Sequence, residues 1–256
     1  MTKKEIKKQY KVEKIKAKFQ YKNHLRDAKE IYKDRLEEYN RSIGKKTPVN
    51  PPKRPLLEEI GNAITHGLGA AFSIAAFILM LVAADTTIEL VSAIIYFFGM
   101  FVMFMSSCLY HAFVHGTGVK RLFHRFDYSS IYLLIGATFA PVLLCFFGDT
   151  FGIVFFGIQW GIIACGISLV GVFGPIKLRR LHTPLYVVLG WSALMLLPRM
   201  ITSNLPLVLW ILGGGVCYTV GLIPFLSKTR VSHFIWHFFV LAGAVVQWIG
   251  IYVYLF

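Results

Sequence analysis

From Leu56 onward the apolar residues come in seven long blocks, roughly 60–84, 88–111, 127–147, 152–173, 184–198, 205–225 and 233–255. As helices, most can cross the ~30 Å hydrocarbon core of a bilayer, which takes about 20 residues. In lipid every backbone polar group must find its partner within the protein, so the blocks admit helices and little else. The fold class is therefore an all-α integral membrane protein, a bundle of seven transmembrane helices. The fifth block is short and ends at Pro198, so it is the least secure span.

Charge divides the chain into two parts. Residues 1–55 carry 18 Lys and Arg against 7 Asp and Glu, whereas residues 56–256 carry 9 against 6. The domain organisation expected is a basic tail with a Pro-rich linker over 1–55 and a membrane domain over 56–256. Residues 3–40 fit either a basic helix near an anionic leaflet or a flexible solvated tail. Lys45 to Pro55, with four prolines, reads as extended linker. Met-Thr-Lys-Lys-Glu precedes more charge rather than an apolar core, so no secretory signal is expected and the first apolar helix acts as an uncleaved signal. No motif supports nucleic-acid binding; membrane lipids are the expected partners, with anionic lipids for the tail. Cys108, Cys145, Cys165 and Cys217 all fall inside apolar blocks and read as small buried side chains.

Lys and Arg in short connections set the orientation. Apart from the tail, one side holds Lys120, Arg121, Arg125, Lys177, Arg179, Arg180, Lys228 and Arg230, and the other only Arg199. The N-terminus is expected in the cytoplasm and the C-terminus outside.

That orientation brings four distant residues to one depth. His111 ends the second block, Asp127 opens the third, and His233 and His237 open the seventh, all at the cytoplasmic face. Polar groups at such depth are costly unless they function. His233 and His237, spaced i, i+4, share a helix face with Cβ atoms about 5–6 Å apart. With His111 they make three nitrogen ligands, a set that suits one Zn2+ with an open position. Asp127 can serve as general base or as a ligand. Ser107, one turn before His111, can hydrogen-bond a substrate carbonyl. Glu59, Asn62 and His66 form a polar stripe on the first helix and are candidates, with His124, to orient the ligands; His66 can also replace one of them. His24, His115 and His182 read as ordinary wet histidines in tail or loops. Gly213, Gly214 and Gly215 read as a close helix contact, and Pro141 and Pro224 as kinks or tolerated prolines.

Four motifs carry a resemblance: Glu59-x-x-Asn62-x-x-Thr65-His66-x-x-Gly69, Ser107-x-x-x-His111, His124-x-x-Asp127 and His233-x-x-x-His237. Residues 56–256 resemble the hemolysin III family, the bacterial branch of the progestin and adiponectin receptor superfamily. The resemblance implies a seven-helix bundle with the N-terminus inside, in the bacterial cytoplasmic membrane. It implies zinc on His111, His233 and His237, with Asp127 and Ser107 as the family aspartate and serine. The wider superfamily includes alkaline ceramidases, so a zinc-dependent hydrolase of a lipid amide or ester is the leading expectation. The alternatives are a non-enzymatic, zinc-stabilised sensor or receptor-like protein, and a pore-forming or cytolytic protein.

Overall fold

The computed structural model describes residues 3–44, 49–227, 229 and 231–256. Lys45 to Pro48 of the expected linker, and the basic residues Lys228 and Arg230, lie outside the described residues. Two compact units emerge, Met1–Val49 and Asn50–Phe256.

The first unit is one helix, α1 (Lys3–Ser42). Over this span the tail is helical. Its apolar residues, Ile6, Tyr10, Ile15 and Phe19 among them, are exposed.

In the second unit α2 (Leu56–Ala83) and α3 (Thr87–Ala112) are followed by α4 (Gly118–Pro141), which continues as a π-helical stretch, Val142–Phe147. Then come α5 (Thr150–Phe173), α6 (Arg179–Trp191), a 3-10 turn (Ser192–Met195), α7 (Leu197–Ser203), α8 (Leu205–Leu226) and α9 (Ser232–Leu255). Among the described residues there is no strand. Six helices are long and apolar enough to cross a membrane, and α6 with α7 makes a seventh if the pair counts as one span bent by 49°.

Local chemistry sets the helix starts. Thr86 and Glu89 form a capping box on α3, each side chain accepting from the other's backbone N–H. Thr117 caps α4 through the Lys120 N–H at 3.2 Å, Asp149 caps α5 and Asn204 caps α8. The π stretch begins after Pro141, which has no N–H to donate to the α ladder. It ends at Gly148, whose φ of 58° is left-handed.

Three expectations are corrected. The third span begins at Gly118, not 127, because the Thr117 cap starts it early, so Lys120, Arg121 and Arg125 are helical rather than in a loop. The fifth begins at Arg179 and does not stop at Pro198; Pro198 sits in the first turn of α7, where its missing N–H is harmless. None of the four cysteines is fully buried: Cys165 is exposed on the apolar exterior, and Cys108, Cys145 and Cys217 are half-buried.

α2 packs between α3 and α9, α3 packs on α4, and α8 packs on α9. The core joins Tyr96, Met100, Phe104, Ala137, Leu143 and Ile251. Two glycines let backbones approach closely. A Cβ on Gly99 would strike Ala137 and the Leu133 carbonyl, and one on Gly214 would strike Gln247 and the Gly243 carbonyl. Of the three consecutive glycines, Gly214 makes the close helix contact. Large apolar side chains such as Val82, Val172 and Ile223 point outward, the surface a bilayer covers.

Candidate metal centre

The last turn of α3 and the first two turns of α9 bring His111, His233 and His237 together. Their ligand atoms all lie within 4.8 Å of one another, and His111 and His237 are buried while His233 is half-buried. His233 Nε2 and His237 Nε2 are 3.3 Å apart. Two nitrogens on one tetrahedral zinc, with Zn–N about 2.0–2.1 Å, are separated by roughly that distance. A long N–H···N hydrogen bond also fits, so the third nitrogen is what favours an ion. His111 Nδ1 lies 2.5 Å from Glu59 Oε2, and Nε2 is buried without a partner. A carboxylate can only accept, so Nδ1 carries the hydrogen and Nε2 keeps its lone pair for a metal. The donors therefore fit a divalent ion such as zinc.

The setting of His111 is built from three helices. Glu59 Oε1 accepts from Lys120 Nζ at 2.8 Å, and that ammonium lies 4.7 Å from the centre of the Tyr110 ring. Lys120 is 1% exposed, so this is a buried pair supported by a hydrogen-bonded imidazole and an aromatic face. Asn62 Nδ2 lies 3.3 Å from the same His111 nitrogen, but with the Nδ1 hydrogen directed at Glu59 the amide N–H cannot donate there. His66 stacks on His237, ring centres 3.7 Å apart, with both of its nitrogens buried and unpartnered. Its ring edge meets Phe104, which occupies the space left by Gly69.

Ser107 and Asp127 do not touch the histidine nitrogens, but they line the same cavity as His66, His233 and His237. Ser107 is buried on α3, and Asp127 on α4 lines the cavity with it. His124 is buried too, stacked on Tyr110 one turn from Asp127. Thr65, by contrast, donates to the Gly61 carbonyl of its own helix. His24 is exposed on α1, and His115 bonds the Pro51 carbonyl at 2.9 Å. His182 is not a wet loop residue. It is fully buried in α6, with Nδ1 2.8 Å from the Tyr132 hydroxyl.

The cavity has a volume of about 180 Å³ and continues between α4, α6, α7, α8 and α9 to Met200 and Gln247. His233 to Gln247 spans roughly 21 Å along α9 at 1.5 Å per residue. Beyond the histidine end its walls are mainly apolar.

Sequence reasoning missed Lys120. A signal was present: Lys120, His124 and Asp127 follow i, i+4, i+7 spacing, one face of a helix. Their charge instead suggested a loop.

Residues 55–248 match the family model described as haemolysin-III related. The chain is 34% identical over 203 residues to Hemolysin-3 of Bacillus cereus, covering 77% of this chain and 91% of that protein. It is also 34% identical to the Hemolysin-3 homolog of Bacillus subtilis (strain 168), over 73% of this chain and 89% of the relative. Monocyte to macrophage differentiation factor of Homo sapiens is 26% identical over 85% of this chain and 93% of its own length, which supports the wider receptor-superfamily relationship. By these matches and its apolar helices, the chain belongs to the haemolysin-III-related family of multi-pass membrane proteins.

Proposed function

We propose that this protein is a zinc-dependent hydrolase that cleaves an amide or ester bond of an acyl lipid at the membrane. One observation carries the reading: of three imidazoles able to hold an ion, His233 and His237 border, with Asp127 and Ser107, an apolar cavity long enough for an acyl chain. Residues 1–55 form the cytoplasmic tail, which contacts anionic lipids, and residues 56–256 form the membrane domain. The basic side of the bundle faces the cytoplasm of a bacterial cell, and the C-terminus lies outside. The excess of Lys and Arg at the histidine end supports this orientation.

Zinc, when bound, supplies a Lewis acid and lowers the pKa of water. Glu59 fixes the His111 ring so that Nε2 faces the site. Asp127 accepts a proton from the attacking water and returns it to the leaving nitrogen or oxygen. Ser107 donates its hydroxyl hydrogen to the substrate carbonyl oxygen. The apolar walls hold the acyl chain and exclude bulk water.

The test is turnover of acyl amides and esters by purified, metal-loaded protein. Asp127→Ala should reduce turnover by about 10²–10⁴-fold while thermal unfolding stays near wild type. Equal activity in that variant would remove Asp127 as the base. The deep burial of His111 and His237 favours a second reading, a zinc-stabilised sensor without catalysis. That reading requires no lipid turnover and a steep loss of thermal stability in His233→Ala. A pore is disfavoured, because apolar walls give an ion nothing to replace its water.

A further inference from the structure

Next to the large cavity lies a smaller, more polar one of about 50 Å³. At roughly 10–15 Å³ per water, it has room for several waters, the bulk of a phosphate group. Arg54, just before α2, and Arg179, at the start of α6, contribute to its wall with His124 and Tyr128 of α4. Asp127 and His233 line both cavities, so the two meet at the proposed catalytic residues.

The donors here are not used up. Arg54 Nη1 holds Glu58 at 3.2 Å, but its Nε is buried and has no partner. The Arg179 guanidinium lies 5.3 Å from the centre of the Phe225 ring and makes no side-chain hydrogen bond to another described residue. His124 is 6% exposed and stacked on Tyr110, and it too has no hydrogen bond to a described residue. Two arginines, Arg54 partly buried and Arg179 exposed, and the buried His124 thus border one polar space. That arrangement suits an anion with several acceptor oxygens, and guanidinium forks match phosphate geometry. The Asp127 carboxylate would repel an anion pressed against it. The anion must therefore sit toward the arginines, which leaves Asp127 to the carbonyl at the junction.

We infer that this pocket binds a phosphate carried on the head of an acyl lipid, whose chain occupies the large cavity. The substrate class is then an acyl lipid with a phosphorylated head. The cleavage step rests on the hydrolase reading above, but recognition of the phosphate does not. Both arginines sit at helix starts at one end of the bundle, where lipid phosphates lie in a bilayer.

The test uses the full-length protein in dodecyl maltoside, a detergent without phosphate. The probes are oleyl glycerol ether, its phosphate ester, and inorganic phosphate; the ethers cannot be hydrolysed. Wild type should bind the phosphate ester about tenfold or more tightly than the neutral ether. Arg54→Gln and Arg179→Gln should each remove most of that preference and leave affinity for the neutral ether in place. Arg54→Lys should retain part of it. If one variant fails to fold, the other carries the comparison, and the wild-type preference stands as a test by itself. Equal affinity for the two ethers, or an unchanged preference in both glutamine variants, overturns the inference. If inorganic phosphate protects wild type against unfolding while the two ethers bind alike, the pocket holds a free anion and the lipid assignment falls. Turnover of the matching acyl esters separates the two proposals. A phosphate preference without turnover removes only the hydrolase, and turnover without a preference removes only the head-group pocket.

Discussion

Two ion pairs, at opposite ends of the bundle, use the same chemistry in different surroundings. At the histidine end Lys120 meets Glu59 at 2.8 Å, with side chains 1% and 11% exposed. At the other end Arg199 meets Asp149 at 2.7 Å, with side chains 54% and 42% exposed. The distances hardly differ, yet the consequences do. Water screens the outer pair and can replace either member. The inner pair is removed from water, so each charge depends on the other and on His111. The outer pair trims a helix start; the inner pair aims an imidazole.

Breaking the inner pair from one side should have the largest effect. Lys120→Met leaves the Glu59 charge without its ammonium, and melts in detergent should show a loss of about 3–5 kcal/mol. Replacing both, as Glu59→Gln with Lys120→Met, should recover much of that stability. The double variant sharpens the contrast, because metal retention should not recover with it. Glu59→Gln alone should weaken zinc binding by about 10–100-fold, read by competition with a chelator, since the carboxylate that fixes His111 is gone. A Glu59→Gln protein with wild-type affinity would mean that the carboxylate does not orient the ligand.

Arg199→Met should shift the melting temperature least. Its pH dependence identifies the partner. The Gly152 backbone N–H, and after it Arg199, hold the Asp149 carboxyl below the usual carboxylate range. Stability from Asp149 is therefore present above the ordinary carboxylate pKa and is lost as pH falls through the lowered value. Wild type and Asp149→Ala should differ at neutral pH and converge in acid, in melts followed across that range.

The same contrast explains what the sequence made legible. Apolar block length located the six long helices, and i, i+4 spacing located His233 and His237, because hydrocarbon thickness and helix pitch are fixed quantities. Joining them to His111 needed only the depth argument. The bend at Leu196 was hidden, because hydropathy averages over a break of one residue. Lys120 and His182 were misplaced because a charged or titratable side chain near an apolar block reads as solvated. Only tertiary contact reveals that Glu59 receives the first and Tyr132 the second. The two cavities could not be read at all, since they depend on where side chains from many helices leave space unfilled.

The bend between α6 and α7 has a consequence of its own. Hydrocarbon penalises any backbone group left without a partner, and a break in a span ordinarily creates several. Here the Leu196 N–H reaches the Ala193 carbonyl at 3.0 Å and the Met200 N–H reaches that of Leu196 at 3.2 Å. Ala193, Leu196 and Met200 also form one flank of the large cavity. The curved wall thus satisfies its own backbone groups, with no partner needed from outside the protein. Under the proposed function, a lipid tail entering the cavity would not need to unwind a helix, and little chain freedom would be surrendered on binding.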